Sequence, residues 1–370
     1  MRLKNVLAPV LAAGLFLFAA PAFAHSVEGG PTPAVAKAKN TFLDKALDRV
    51  SFSGMLQAGY SQSFGPGTLV HGFLGNGSSD FNVHRLILVA KARVTDRLEV
   101  TYNGNFANGY TNLEYYATYT VAPEFAITFG QKKIPLLMEN QISPATHELL
   151  ADGTFISNYM EGGDNSNPLM GVWSGRDFGL EVKGDLFGRV LGYRLGVYNG
   201  QGMNQRDRNK NKALTGSLSV RPFKGMEVTG TFYTGKGKAA GNALFEGENG
   251  RVMAGDEFQM DRFSGGLSYQ SKRFGIRSEY VFGREGDVLS DGAYATMRIG
   301  ALKNFDIVAS YAYGNFNKTL DSRYIIHNYI AGLQYWFLPK CRLSVEYNVM
   351  DPAGPVEANH TINTQLQFAF

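Results

Sequence analysis

From Arg49 to the last residue, apolar side chains recur at every second position in short runs bounded by Gly, Pro, Asn and Asp. This period constrains the fold more than any other feature, because only a strand places residues i and i+2 on one face. In the run 361–370, Ile362, Thr364, Leu366, Phe368 and Phe370 share one face, and Thr361, Asn363, Gln365 and Gln367 share the other. Cys341, Leu343, Val345, Tyr347 and Val349 oppose Arg342, Ser344, Glu346 and Asn348 in the same way. Sixteen such runs can be placed: 52–60, 81–94, 98–106, 112–121, 124–133, 176–183, 190–198, 214–220, 226–234, 262–270, 274–282, 294–300, 305–313, 325–337, 341–349 and 361–370.

The connections are expected to alternate strictly between tight turns and longer loops rich in Gly, Asn and Asp, the signature of a transmembrane β-barrel with turns in the periplasm and loops outside. A soluble sandwich would also alternate, but its inner faces would form an apolar core. Here the polar face repeatedly carries charge, and sixteen strands are enough to enclose a water-filled lumen. Tyr60, Tyr119, Phe125, Tyr198, Tyr313, Tyr335 and Phe337 fall near strand ends, where aromatic girdles are expected. Past residue 24 no apolar run approaches the roughly 18 residues of a membrane helix. The reading is therefore all-β: a 16-stranded antiparallel transmembrane barrel over residues 49–370.

Residues 1–24 combine Arg2 and Lys4, an apolar run and Ala22-Phe-Ala24, which reads as a secretory signal peptide cleaved near Ala24. Residues 25–48 are expected to be a periplasmic leader. Without Arg2 and Lys4 the 36 basic residues become 34 against 32 acidic ones, a balance that argues against a nucleic-acid partner. Cys341 is the single cysteine, so no intrachain disulfide is available. His71, His84, His147, His327 and His360 show no metal-ligand spacing, and Gly235-Lys-Gly-Lys238 does not make a nucleotide loop. No cofactor and no catalytic residues are expected.

One long segment, 134–173, fits no strand and sits between two clear ones. It holds Glu139, Glu148, Asp152, Glu161 and Asp164 but no Lys or Arg. Loops of this length inside a compact domain are usually functional, and this one reads as a constriction loop folded into the lumen.

Three patches resemble the phosphate-selective porin O and P family of Gram-negative outer membranes: Gly130-Gln-Lys-Lys-Ile-Pro135, Arg176-Asp-Phe-Gly179 and Tyr198-Asn-Gly200. The first two flank the long segment, as they do in that family. The resemblance implies an outer-membrane homotrimer embedded in lipid and lipopolysaccharide, an inward-folded third extracellular loop, and wall cations that attract anions. It also implies that terminal Phe370 is an assembly signal read by the barrel assembly machinery. Lys133 takes the motif lysine's position and Arg176 the motif arginine's. The chain departs from the family where an arginine is common inside the loop, since Tyr159-Met-Glu-Gly162 stands there.

Alternation places Arg85, Lys91, Arg93, Arg194, Arg221, Arg262, Arg277, Arg298 and Arg342 on the polar faces of their strands. Guanidinium forks there would steer anions, or would pair with Glu99, Glu114, Glu181, Glu279 and Glu346 and brace the wall. Strand parity puts Lys132 inside, whereas the family motif points to Lys133. The function expected is passive diffusion of small hydrophilic solutes and anions, phosphate included; the alternative is a structural or adhesion barrel with a plugged lumen. Acidic groups on the loop facing arginines on the wall would set up a transverse field and only a weak anion preference.

Overall fold

The computed structural model describes residues 48–64, 79–151, 153–163, 166–318, 324–354 and 357–370. The signal peptide, the leader apart from Asp48, and the expected positions His71, Asp152 and Asp164 lie outside the described residues.

The strands are β1 (Val50–Phe64), β2 (Ser79–Arg93), β3 (Leu98–Asn105), β4 (Thr111–Ala122), β5 (Phe125–Lys133), β6 (Arg176–Leu186), β7 (Leu191–Tyr198) and β8 (Ala213–Val220). They continue as β9 (Met226–Lys238), β10 (Glu257–Gln270), β11 (Phe274–Glu285), β12 (Val288–Leu302), β13 (Phe305–Asn315), β14 (Ile325–Leu338), β15 (Cys341–Pro352) and β16 (Asn359–Ala369). Each pairs antiparallel with its neighbour in sequence, and β1 closes on β16 in a register that sets Tyr60 against Thr364. The result is a closed 16-strand barrel in which every strand has an antiparallel neighbour on each side and no strand is a free edge.

The expected strict alternation of short and long connections fails at two places: residues 106–110 between β3 and β4 are no longer than the turn 221–225 on the opposite end, and the departure is sharper at β11–β12. β11 and β12 run on to Glu285 and back from Val288, leaving a two-residue turn, Gly286-Asp287, on the end where a long loop was expected. Gly286 takes φ 58°, which a tight hairpin turn demands, so a glycine read as loop punctuation is a hairpin corner.

Alternate residues of the strands carry exposed apolar and aromatic side chains on the outside, among them Phe263, Tyr280, Ile307, Tyr311, Leu333, Tyr335, Tyr347 and Phe368. The opposite face meets the connection between β5 and β6. That segment bonds to Gln57 on β1, Arg262 on β10, Arg277 and Glu279 on β11, Gln334 on β14, Arg342 and Glu346 on β15, and Gln367 on β16. One segment touching so many strands around the ring lies inside it. It holds a 3-10 turn, Glu139–Gln141, and a short helix, α1 (Phe155–Glu161), which Gly162 ends at φ 66°.

The apolar core lies between α1 and the inner face of β9–β13, where Ile156, Met160 and Phe155 join Tyr233, Met260, Val281, Tyr294 and Ala312. Glycines on that face make the room. A methyl at Gly283, Gly292 or Gly314 would fall 2.8, 2.5 or 3.0 Å from Met160, Ile156 or Phe155 respectively.

Candidate functional site

The crossing segment leaves its root through the motif residues. Ile134 N donates to Gly175 O at 2.9 Å, and Asn140 Nδ2 donates to both Ile134 O and Gly175 O, so the two ends of the segment are clasped together. Lys132 and Lys133 both turn inward at this point. Lys132 is buried, bonds Glu181 Oε1 at 2.5 Å and stands over the Tyr116 ring. Lys133 sits at the strand end, where the chain bends inward, and donates to Ile142 O at 2.7 Å. Parity and motif do not exclude one another here, because Lys133 is the last residue of β5 and escapes its alternation.

The wall arginines are held mostly by carboxylates. Arg194 pairs with Glu181 at 2.9 Å, Arg221 with Asp185 and Glu227 at 2.8 Å each, and Arg298 with Asp306 at 3.2 Å. Arg262 is fully buried beneath α1, donating to Met160 O and to Glu285, which also receives Tyr159 Oη and Asn167 Nδ2. Arg342 donates to His147 O at 2.7 Å and to Gln334, with its guanidinium 5.1 Å from the Trp336 ring centroid. Of the carboxylates expected to brace the wall, Glu181 takes Arg194 and Glu114 takes Arg176, whereas Glu279 and Glu346 accept the Met138 and Leu150 amides of the crossing segment.

The acidic residues of the segment do not all stand free across a passage. Arg277 reaches Glu139 at 3.3 Å and Glu148 at 3.0 Å, and the other Glu139 oxygen accepts from Thr154 N and Oγ1. Those two carboxylates therefore fasten the segment to β11. His147, enclosed beside them, is held far below the ordinary histidine range by burial and then by Arg277, so it is neutral. Glu161 behaves differently: burial outweighs the attraction of Lys133 and Arg176 and pushes its carboxyl up to about 8.

Two charged spaces border the segment, and another lies apart from it. A cavity of about 200 Å³ lies toward β2–β6, lined by Arg85, Lys133, Arg176, Glu139, Glu161 and neutral Asn and Ser groups. A second, about 680 Å³, lies toward the tight-turn end of β7–β15 and carries Arg194, Arg221, Arg277, Arg298, Arg342, Glu148, Glu227 and Asp306. A third, about 310 Å³, holds the exposed Lys91 and Arg93 with Asp96, Arg97, Glu99 and Lys183. Phe370 closes the seam, donating to Gly54 O at 3.1 Å with its ring over that glycine.

Sequence reasoning missed the anchoring network of Glu285, Tyr159 and Asn167 around Arg262, and it missed the inner-face glycines. A signal for the latter exists: Val281, Tyr294 and Val308 break the polar inner pattern where the segment docks.

Solved structures share this architecture. The anion-selective porin from Comamonas acidovorans superposes with TM-score 0.62 at 12% identity, over 87% of this chain and 99% of its own. OprB from Pseudomonas putida gives 0.63 at 10%, over 89% and 96%, and OmpF of Salmonella typhi gives 0.60 at 12%, over 86% and 97%. At these identities the likeness is one of fold. No protein-family model and no curated protein matches the chain.

Proposed function

We propose that residues 49–370 form an outer-membrane channel, reached after signal-peptide cleavage and assembled as a homotrimer, through which small hydrophilic solutes diffuse with a weak preference for anions. The observation that carries this reading is a closed ring with an apolar outside and an inside where polar, charged cavities persist on both sides of a segment clamped across it. A barrel of sixteen strands has room for such a lumen, and an anion-selective porin shares the fold. Among the described residues cations outnumber carboxylates in the narrow cavity, three to two, and Glu161 is protonated at neutral pH. The preference is for anions in general rather than for phosphate, because Glu139 stands in that cavity among the donors. No arrangement of catalytic groups enters the proposal.

A plugged barrel is the second reading, favoured by contacts that carry the segment as far as Gln57 and Gln367. Liposome swelling and single-channel recording separate the two. Steady conductance with a reversal potential displaced toward chloride supports the channel, and sealed membranes would overturn it.

A further inference from the structure

We infer that the cavity on the tight-turn side of the crossing segment is a binding site for small polyhydroxylated organic monoanions, gluconate being a simple example, rather than for inorganic anions. The inference rests on the channel reading and names its solute class.

Charge comes first. Among the described residues five arginines and three carboxylates line the cavity, while Glu181, Asp185 and Glu139 engage Arg194, Arg221 and Arg277 from outside it, so the guanidinium cluster is largely offset and accepts one negative charge more readily than two. Arg221 is already engaged by Asp185 and Glu227, and Arg298 by Asp306. A compact dianion brought to these guanidinium groups meets carboxylates at the same distance, whereas a monoanion with its charge at one end avoids most of that repulsion.

The remaining lining asks for a body with hydroxyl groups. Ser217 and Ser219 on β8, Thr229 on β9 and Ser268 on β10 face the cavity. Ser219 and Thr229 satisfy each other at 2.7 Å, but the hydroxyls of Ser217 and Ser268 have no hydrogen-bond partner among the described residues. A hydroxyl both donates and accepts, which the several hydroxyls spread along a polyol chain can match at Ser217 and Ser268 together, whereas chloride only accepts and phosphate carries its one or two O–H groups on a single compact centre. The half-buried Trp336 ring supplies apolar surface for C–H faces and is fixed by its Nε1–H donating to Asp306 at 3.0 Å. The volume of about 680 Å³ is typical of small-molecule sites.

The test is calorimetric titration of the folded, detergent-solubilised protein with gluconate, inorganic phosphate and glucose separately, alongside addition of gluconate to bilayers carrying chloride current. Gluconate is expected to bind tighter than either comparison solute and to interrupt the current. Ser217→Ala combined with Ser268→Ala should weaken gluconate about tenfold, the worth of two neutral hydrogen bonds, and leave phosphate binding unchanged. Should that pair not fold, Arg221→Gln should weaken gluconate and leave glucose as it was. Phosphate binding as tightly as gluconate, or glucose doing so, overturns the site. Chloride conductance without gluconate binding overturns the site alone, and gluconate binding without conductance overturns the channel reading alone.

Discussion

Asp177 Oδ2 accepts a 2.6 Å hydrogen bond from the Gly200 amide, while Asp177 Oδ1 accepts from Phe178 N at 2.7 Å. This one carboxylate ties the Arg176-Asp-Phe-Gly179 patch to the Tyr198-Asn-Gly200 patch. Gln131, from the third patch, receives Asn204 N at 2.7 Å from the loop that follows Gly200. The three patches that carry the family resemblance thus meet at the root of the crossing segment and act there as anchors. Asp177→Ala leaves buried amides without an acceptor, which costs roughly 1–3 kcal/mol. A lower urea midpoint with an unchanged reversal potential is expected. A changed reversal potential would place Asp177 in the ion path instead.

Arg277 is the clamp between segment and wall. Removing it leaves Glu139 and Glu148 buried beside one another without their counter-ion, a loss of about 3–5 kcal/mol for a buried pair. Arg277→Met should release the segment, seen as larger and noisier single-channel conductance. Glu139→Gln with Glu148→Gln in that background should quieten the channel again, since the uncompensated charges are gone. A quiet Arg277→Met channel of unaltered conductance would show that other contacts hold the segment.

Strand number and barrel class were legible because a period of two cannot be mistaken over sixteen runs, and the segment's boundaries were legible because both flanking strands are clear. What the segment touches was not. Glu139 and Arg277 are 138 positions apart, and nothing local to either marks the other as its partner. The field of loop acids against wall arginines was expected on sign alone, whereas Glu139 and Glu148 spend their charge on fastening. Lys133 shows the limit of parity: alternation holds inside a strand and lapses at its last residue, where the backbone already turns.

Glu161 gives the channel a pH dependence with a definite sign. Its ordinary value of 4.5 rises to about 8 in the folded protein, so the folded state holds a proton there that the unfolded state releases between those limits. Stability contributed by this group therefore falls as pH rises through that window. Ionisation near pH 8 also adds a negative charge beside Lys133, Arg176, Glu139 and Glu279. Anion preference should be greatest at neutral pH and decline above about 8, and Glu161→Gln should abolish that decline. A wild-type reversal potential flat from pH 6 to 9 would refute a role for Glu161 in the passage, that pH range being roughly two units below and one above its titration.

The last prediction compares the cations of the narrow cavity with Arg298 of the wide one. Arg85 and Lys133 line that cavity; among their contacts Arg85 donates to Gln57 Oε1 at 2.9 Å and Lys133 to Ile142 O at 2.7 Å. Across the cavity, Glu139 is turned to Arg277 and Thr154, and Glu161 is protonated at pH 7. Among the described lining residues, cations therefore outnumber ionised carboxylates at neutral pH. Arg298 is compensated by Asp306, so its replacement removes a neutral pair's half and exposes a carboxylate in a wide space where water screens it. Arg85→Gln with Lys133→Gln should move the reversal potential in a potassium chloride gradient from chloride preference to none or to weak potassium preference, and Arg298→Gln should move it little. The difference should shrink as salt rises, because wall charges act over about 10 Å at 0.1 M and about 3 Å at 1 M. Equal shifts from both substitutions would mean that the wide cavity, and not the narrow one, sets the selectivity.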